Sequence, residues 1–161
     1  MNARPLVPFA LAVLSGVLYF VGFVGFDQWY LSWFCLVPLL VALRSAATWK
    51  RALLLSWVMG FTTHLGGYYW VVHLLQEFAH APLPAAVAGY LLLCLVQGGS
   101  LATFGLLTWG LSKRGRVSLP LAAPVAMFAV EFAYPLLFPS YLGNSQIHFP
   151  LATQVADLGG V

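Results

Sequence analysis

Residues 84–111, PAAVAGYLLLCLVQGGSLATFGLLTWGL, decide the class of the fold. From Pro84 to Leu111 there is no charged side chain. At about 1.5 Å per residue, a helix of that length exceeds the roughly 30 Å hydrocarbon core of a bilayer. Leucine dominates the run, and Gly89, Gly98, Gly99, Gly105 and Gly110 interrupt it. Small residues let helix backbones approach closely in lipid, where packing rather than hydrophobicity drives association. The stretch reads as a membrane span built to lie against other helices.

The rest of the chain agrees. Its 161 residues are 61% apolar, 16% aromatic and only 7% charged, whereas soluble domains carry about 25% charge. The expected class is therefore an all-α, polytopic integral membrane bundle. The net charge of +3 is no nucleic-acid footprint. The Lys and Arg residues fall in short clusters between apolar runs, where topology anchors belong, so no nucleic-acid partner is expected. Arg4 precedes an apolar run as in a signal peptide. That run is too long, however, and residues 25–29 (GFDQW) make a poor cleavage site, so it reads as a retained span.

Five spans are predicted, over 6–24, 29–43, 52–75, 84–111 and 119–138, in a single transmembrane domain. A sixth starts at Pro150 and is cut off at Val161. The 29–43 segment is short and borrows Trp29 and Tyr30 as interfacial residues. Loop charges alternate: Arg4, then Arg44/Lys50/Arg51, then Lys113/Arg114/Arg116 on one side, and Asp27, Glu77 and the neutral loop 139–150 on the other. By the positive-inside rule the N-terminus is cytoplasmic and loops 25–30, 76–83 and 139–150 face outward.

Polar chemistry is sparse. Glu131 lies well inside the fifth span, where an ionised carboxylate costs about 3 kcal/mol on insertion scales, so it should face the bundle or a wet cavity. Pro135, four residues on, has no N–H for the carbonyl of residue 131 and predicts a kink there. Two readings of Glu131 stand side by side: a headgroup or substrate contact, or a protonated carboxyl bonded to a neighbouring helix. Tyr69, Trp70 and His73 crowd the outer end of the third span at helical spacing. They read either as an interfacial aromatic belt or as part of a groove admitting acyl chains or headgroups.

No metal site or cofactor is expected. His64 and His73 are half a turn out of phase, and His80 and His148 lack ligand-like neighbours. Cys35 and Cys94 sit mid-span without a nearby base and read as small apolar residues. No nucleophile–base pair can be assembled, so no catalytic residue is assigned within this chain.

Several pieces in order then carry a resemblance. They are Phe26-Asp27-Gln28-Trp29, Leu36-Val37-Pro38-Leu39-Leu40, the run Gly66-Gly67-Tyr68-Tyr69-Trp70-Val71-Val72-His73, and Glu131-Phe132. Phe138-Pro139, Leu142-Gly143-Asn144-Ser145-Gln146, Pro150-Leu151 and 156–161 (ADLGGV) follow. Together they resemble the N-terminal membrane region of apolipoprotein N-acyltransferase, a bacterial inner-membrane enzyme of lipoprotein maturation. Phe138, Pro139, Gly143, Ser145 and Gln146 match its outer-loop motif residue for residue. Tyr134, Ser140 and Asn144 stand where that family often has Arg, Trp and Tyr.

The resemblance implies transfer of an acyl chain from a phospholipid donor to the N-terminal amine of a diacylglyceryl-cysteine lipoprotein. It also implies a downstream nitrilase-like domain carrying a Glu-Lys-Cys triad and a thioester intermediate. This chain would anchor that domain and hold lipid substrates, with Glu131, Tyr69, Trp70, His73, Phe138, Pro139, Gly143, Ser145 and Gln146 as contact candidates. Alone it is expected to be inactive. The competing reading is a small stand-alone protein that binds lipid or transports a solute, with Glu131 as its polar site; a third is a remnant without function.

Overall fold

A computed structural model of the chain describes residues 6–23, 25–115 and 117–154. Arg4, Val24, Arg116 and residues 155–161 lie outside the described residues, so only 150–154 of the expected sixth span falls within them. The described residues are helical and contain no strand. In chain order the elements are α1 (Val7–Val21), a 3₁₀ turn at Trp29–Trp33, α2 (Val37–Arg44), α3 (Trp49–Gly67) and α4 (Val71–Ala79). Then follow α5 (Leu83–Gly115), α6 (Leu119–Ala133), a second 3₁₀ turn at Leu142–Gln146 and the short α7 (Pro150–Thr153).

Helix starts follow local chemistry. Pro8, Pro38 and Pro120 stand in the first turns of α1, α2 and α6, where a missing N–H leaves no helical bond unmade. Thr48 caps α3 by accepting the Arg51 N–H, one of the donors a helix start leaves orphaned. His80 closes α4 in the left-handed region, at φ 50°.

Two expected spans are built differently from a single helix. Residues 52–75 divide at Tyr68–Trp70, where α3 ends after Gly66-Gly67 and α4 begins afresh. Residues 119–138 hold α6 only to Ala133. The kink expected at Pro135 is instead a stop: Tyr134 is extended at φ −81°, ψ 126°, because the ring of a following proline disfavours the helical conformation. Among the described residues α5, with 33 residues, is the one helix long and apolar enough to cross a membrane. Val7–Val21, Trp29–Arg44 and Leu119–Ala133 are shorter apolar segments.

Helix α5 is the spine. It lies antiparallel to α3 on one side and to α6 on another, and α1 packs on the far side of α3 beside α2. The contacts are backbone-close. A Cβ on Gly60 would strike the Gly98 backbone, and one on Gly105 would strike Ser56, so glycine at these positions is what lets α3 and α5 touch. Trp57 Nε1–H donates across the seam to the Leu95 carbonyl at 3.2 Å. Leu39, Leu43, Leu55, Met59 and Phe104 fill the core between them.

Some polar side chains are buried beside the apolar core, and large apolar ones face outward. Ser15, Ser56, Gln97 and Thr108 are buried, while α6 turns Leu121, Val125, Phe128 and Phe132 outward, the last two at 74% and 86% exposure. Those four recur at helical spacing and form one apolar stripe. Pairings along the helices also sort the charges. Arg44, Lys50, Arg51, Lys113 and Arg114 gather at the end where Trp109 Nε1–H donates to the Ala46 carbonyl at 2.9 Å. Asp27, Glu77 and Glu131 lie toward the other end.

Candidate functional site

Where α6 stops, residues 134–140 form an irregular segment that bends at 137–138, and polar groups from α5 and from the turn after α3 catch it. Gln97, 2% exposed on α5, grips two consecutive backbone groups. Its Oε1 accepts the Leu137 N–H at 3.0 Å and its Nε2–H donates to the Phe138 carbonyl at 3.3 Å. The Tyr68 hydroxyl donates to the same carbonyl at 2.8 Å. An irregular stretch of backbone, outside helix and sheet, needs such partners, because backbone polar groups shielded from water and left unpaired are costly. The Phe138 ring then packs edge-on against Tyr68 and Trp70, at centroid separations of 5.8 and 5.4 Å.

Glu131 holds the next piece. Its Oε1 accepts the Leu142 N–H at 2.6 Å, so a side chain from the last turn of α6 fixes the start of the second 3₁₀ turn. Glu131 also borders a cavity of about 20 Å³ shared with Tyr19, Thr63, His64, Ser100 and Ser140. That volume suits about one water molecule and is far too small for a headgroup. The His64 Nδ1 lies 2.7 Å from the Gly60 carbonyl; donation there makes Nδ1 the protonated nitrogen and leaves Nε2 as an acceptor. The Tyr19 hydroxyl reaches the Ser140 carbonyl at 3.4 Å. The polar groups around this cavity are turned to fixing backbone.

The loop beyond docks on the first 3₁₀ turn. Gln146 Oε1 accepts the Trp33 Nε1–H at 3.1 Å, and its Nε2–H donates to the Trp29 carbonyl at 3.2 Å. Ser145, buried, donates to the Leu142 carbonyl at 2.7 Å. Trp29 and Phe149 stack at 4.5 Å with rings 8° from parallel. His148 approaches Asp27 at 3.8 Å, but both are exposed and such pairs contribute little. Loops 25–30 and 139–150, expected on the same face from their charge alone, are thus in contact.

Of the candidate residues, the fold brings Glu131, Trp70, Phe138, Ser145 and Gln146 to this one end of the bundle. Pro139 and Gly143 lie on the captured segment and in the second 3₁₀ turn, both exposed. Tyr69 lies in the turn between α3 and α4, Trp70 caps α4 and His73 stands in its first turn. Tyr69 and His73 are exposed. Tyr19, His64, Ser100 and above all Gln97 were not singled out from sequence as members of this end. A lone Gln amid an uncharged 84–111 was the available signal. Cys35 and Cys94 are buried free thiols, and no group of three metal-ligating side chains occurs among the described residues.

Residues 15–161 match the family described as the apolipoprotein N-acyltransferase N-terminal domain. Three relatives named apolipoprotein N-acyltransferase are similar to the chain. The protein of Thermotoga maritima is 35% identical over 66% of this chain and 22% of its own length. That of Bdellovibrio bacteriovorus is 27% identical over 94% and 28% respectively, and that of Geobacter metallireducens 28% identical over 99% and 31%. The chain therefore spans between 22% and 31% of the length of these relatives. No solved structure matches it.

Proposed function

The chain belongs to the apolipoprotein N-acyltransferase family, and from that premise we propose that it is the membrane-embedded part of an enzyme transferring an acyl chain from phospholipid to the N-terminal amine of a diacylglyceryl-cysteine lipoprotein. The chain crosses the bacterial inner membrane several times, with the basic end of the bundle cytoplasmic and the end bearing Glu131 outward. The exposed apolar surface supports this: Leu92 and Val96 of α5 and the α6 stripe face outward while Ser15, Gln97 and Thr108 are buried, as suits a lipid solvent. Helices α1, α2 and α6 are short for a full span.

The observation that carries the functional reading is the captured segment 134–149. Glu131, Gln97, Tyr68 and Gln146 each hold a piece of its backbone or dock it on the first 3₁₀ turn. A bundle that fixes an irregular outer segment at several points provides a rigid floor for a catalytic domain of the nitrilase type, with the Glu-Lys-Cys chemistry lying there. Phospholipid and lipoprotein chains approach along the aromatic cluster of Tyr68, Trp70 and Phe138. Within this chain the roles are positioning ones. The water-sized cavity at Glu131 argues against the solute-transport reading.

Two substitutions in the full-length enzyme test this. Glu131→Ala is expected to lower acyl transfer about tenfold with membrane insertion unchanged, since it strips the Leu142 N–H of its acceptor. Glu131→Gln keeps an acceptor oxygen and should retain most activity. An undiminished rate in Glu131→Ala would remove Glu131 from the mechanism, and a Gln variant as defective as Ala would make its charge, not its hold on the loop, the functional property. Trp70→Ala is expected to raise the apparent KM for phospholipid with kcat little altered. A change confined to expression level would return Trp70 to a simple interfacial anchor.

A further inference from the structure

The basic end of the bundle holds a second polar site, away from everything assigned above. A cleft of about 380 Å³ opens between the end of α2, the end of α5 and the start of α6. Arg44 and Lys113 line it from two different helices, and Ser112 and Ser118 add hydroxyls. Leu43 and Trp109 form its apolar wall, and the Trp109 indole is pinned by its bond to the Ala46 carbonyl. Among the described residues no carboxylate lies at this end, so neither cation has an acidic partner there. Topology anchors alone need only to sit in loops. Two cations converging on one cleft, beside hydroxyls and a fixed aromatic wall, is a stronger arrangement.

We infer that this cleft binds the phosphate of an anionic phospholipid of the inner leaflet. Arg44 offers a planar fork suited to phosphate oxygens and Lys113 a point charge. The serine hydroxyls complete the shell, and the partly exposed Leu119 and Trp109 receive the first part of an acyl chain. Basic pockets between membrane helices on the cytoplasmic side recognise anionic headgroups by this chemistry. The inference rests on the membrane orientation proposed above. It concerns the face opposite to the acyl-transfer site, so the lipid here is a resident ligand and not the acyl donor.

Native mass spectrometry of the full-length protein in detergent, titrated with phosphatidylglycerol or phosphatidylcholine, tests it. The wild type should retain one phosphatidylglycerol in preference to phosphatidylcholine. Each basic residue near an anionic lipid contributes about fivefold in affinity. The doubly substituted Arg44→Gln, Lys113→Gln protein should therefore bind phosphatidylglycerol about twenty-fivefold more weakly, while Lys50→Gln, outside the cleft, should not. Equal retention of both lipids, or no loss in the double variant, would overturn the inference. Displacement of the lipid by millimolar inorganic phosphate would overturn the lipid as its ligand and leave a site for the free anion. Extraction of the protein from membranes by alkaline carbonate would overturn the membrane reading itself. A protein that resists extraction but shows no lipid preference sinks this inference alone.

Discussion

Substituting Gly60 by leucine in the full-length protein is expected to abolish the folded state, and by alanine to lower its thermal midpoint by several degrees. The reason lies in what surrounds the missing side chain. A Cβ at Gly60 meets the carbonyl oxygen of Gly98 and comes within 3.0 Å of its carbonyl carbon and Cα. These are backbone atoms of another helix, which cannot rotate aside as a flexible side chain would. The helices must separate, and the strain of such overpacking runs to about 1–3 kcal/mol even for one methyl. A Leu there would pry α3 from α5 along the seam where Ser56 and Gly105 also touch. Gly110 provides the control, since a Cβ there meets nothing within 4 Å. Gly110→Ala should leave stability unchanged or raise it, because alanine favours helix by about 1 kcal/mol over glycine. The monodisperse fraction after heating in detergent, measured by size exclusion, separates these outcomes. A Gly60→Ala protein as stable as the wild type would mean the two helices do not meet as described.

The contrast between these two glycines marks where sequence reasoning reached its limit. Both lie in apolar runs, but only Gly110 was read as a small residue suited to helix contact, and it is Gly60 that meets a backbone. Which of them is pressed against a partner depends on helix rotation, and in uniformly apolar segments the 3.6-residue pattern that reports rotation is faint. The same uniformity hid the break at Tyr68–Trp70, so that 52–75 read as one helix. Charge was more legible. Loops 25–30 and 139–150, grouped by their lack of basic residues, meet where Gln146 donates to the Trp29 carbonyl. Pro135 was visible as a disturbance of α6. That it ends the helix rather than kinking it leaves the Leu137 N–H in need of an acceptor, and Gln97, some 40 residues away in sequence, supplies it. Glu131 was recognised as a polar group needing a partner, but the partner, the N–H of Leu142, is a backbone group that no side-chain pattern announces.

That dependence on Gln97 makes it the most informative single residue for function. Gln97→Leu keeps the approximate bulk of the side chain while removing both polar contacts. The Leu137 N–H then has no acceptor, and the Phe138 carbonyl keeps only the Tyr68 hydroxyl. Orphaning this part-buried backbone group costs about 1 kcal/mol, the low end of the range for lost partners, which loosens segment 134–140 locally without unfolding the helices around it. Acyl transfer by the full-length enzyme should fall severalfold, and amide exchange at residues 136–138 should accelerate by a similar factor. Tyr68→Phe removes the other donor to Phe138 and should have a smaller effect by itself. Because both side chains serve one carbonyl, their effects should not add: residues sharing a partner couple by about 0.5–3 kcal/mol. A double variant whose loss equals the sum of the single losses would separate the two contacts and refute the clamp. Faster exchange with undiminished acyl transfer would be equally decisive, since it would show that the enzyme does not need this outer segment held in place.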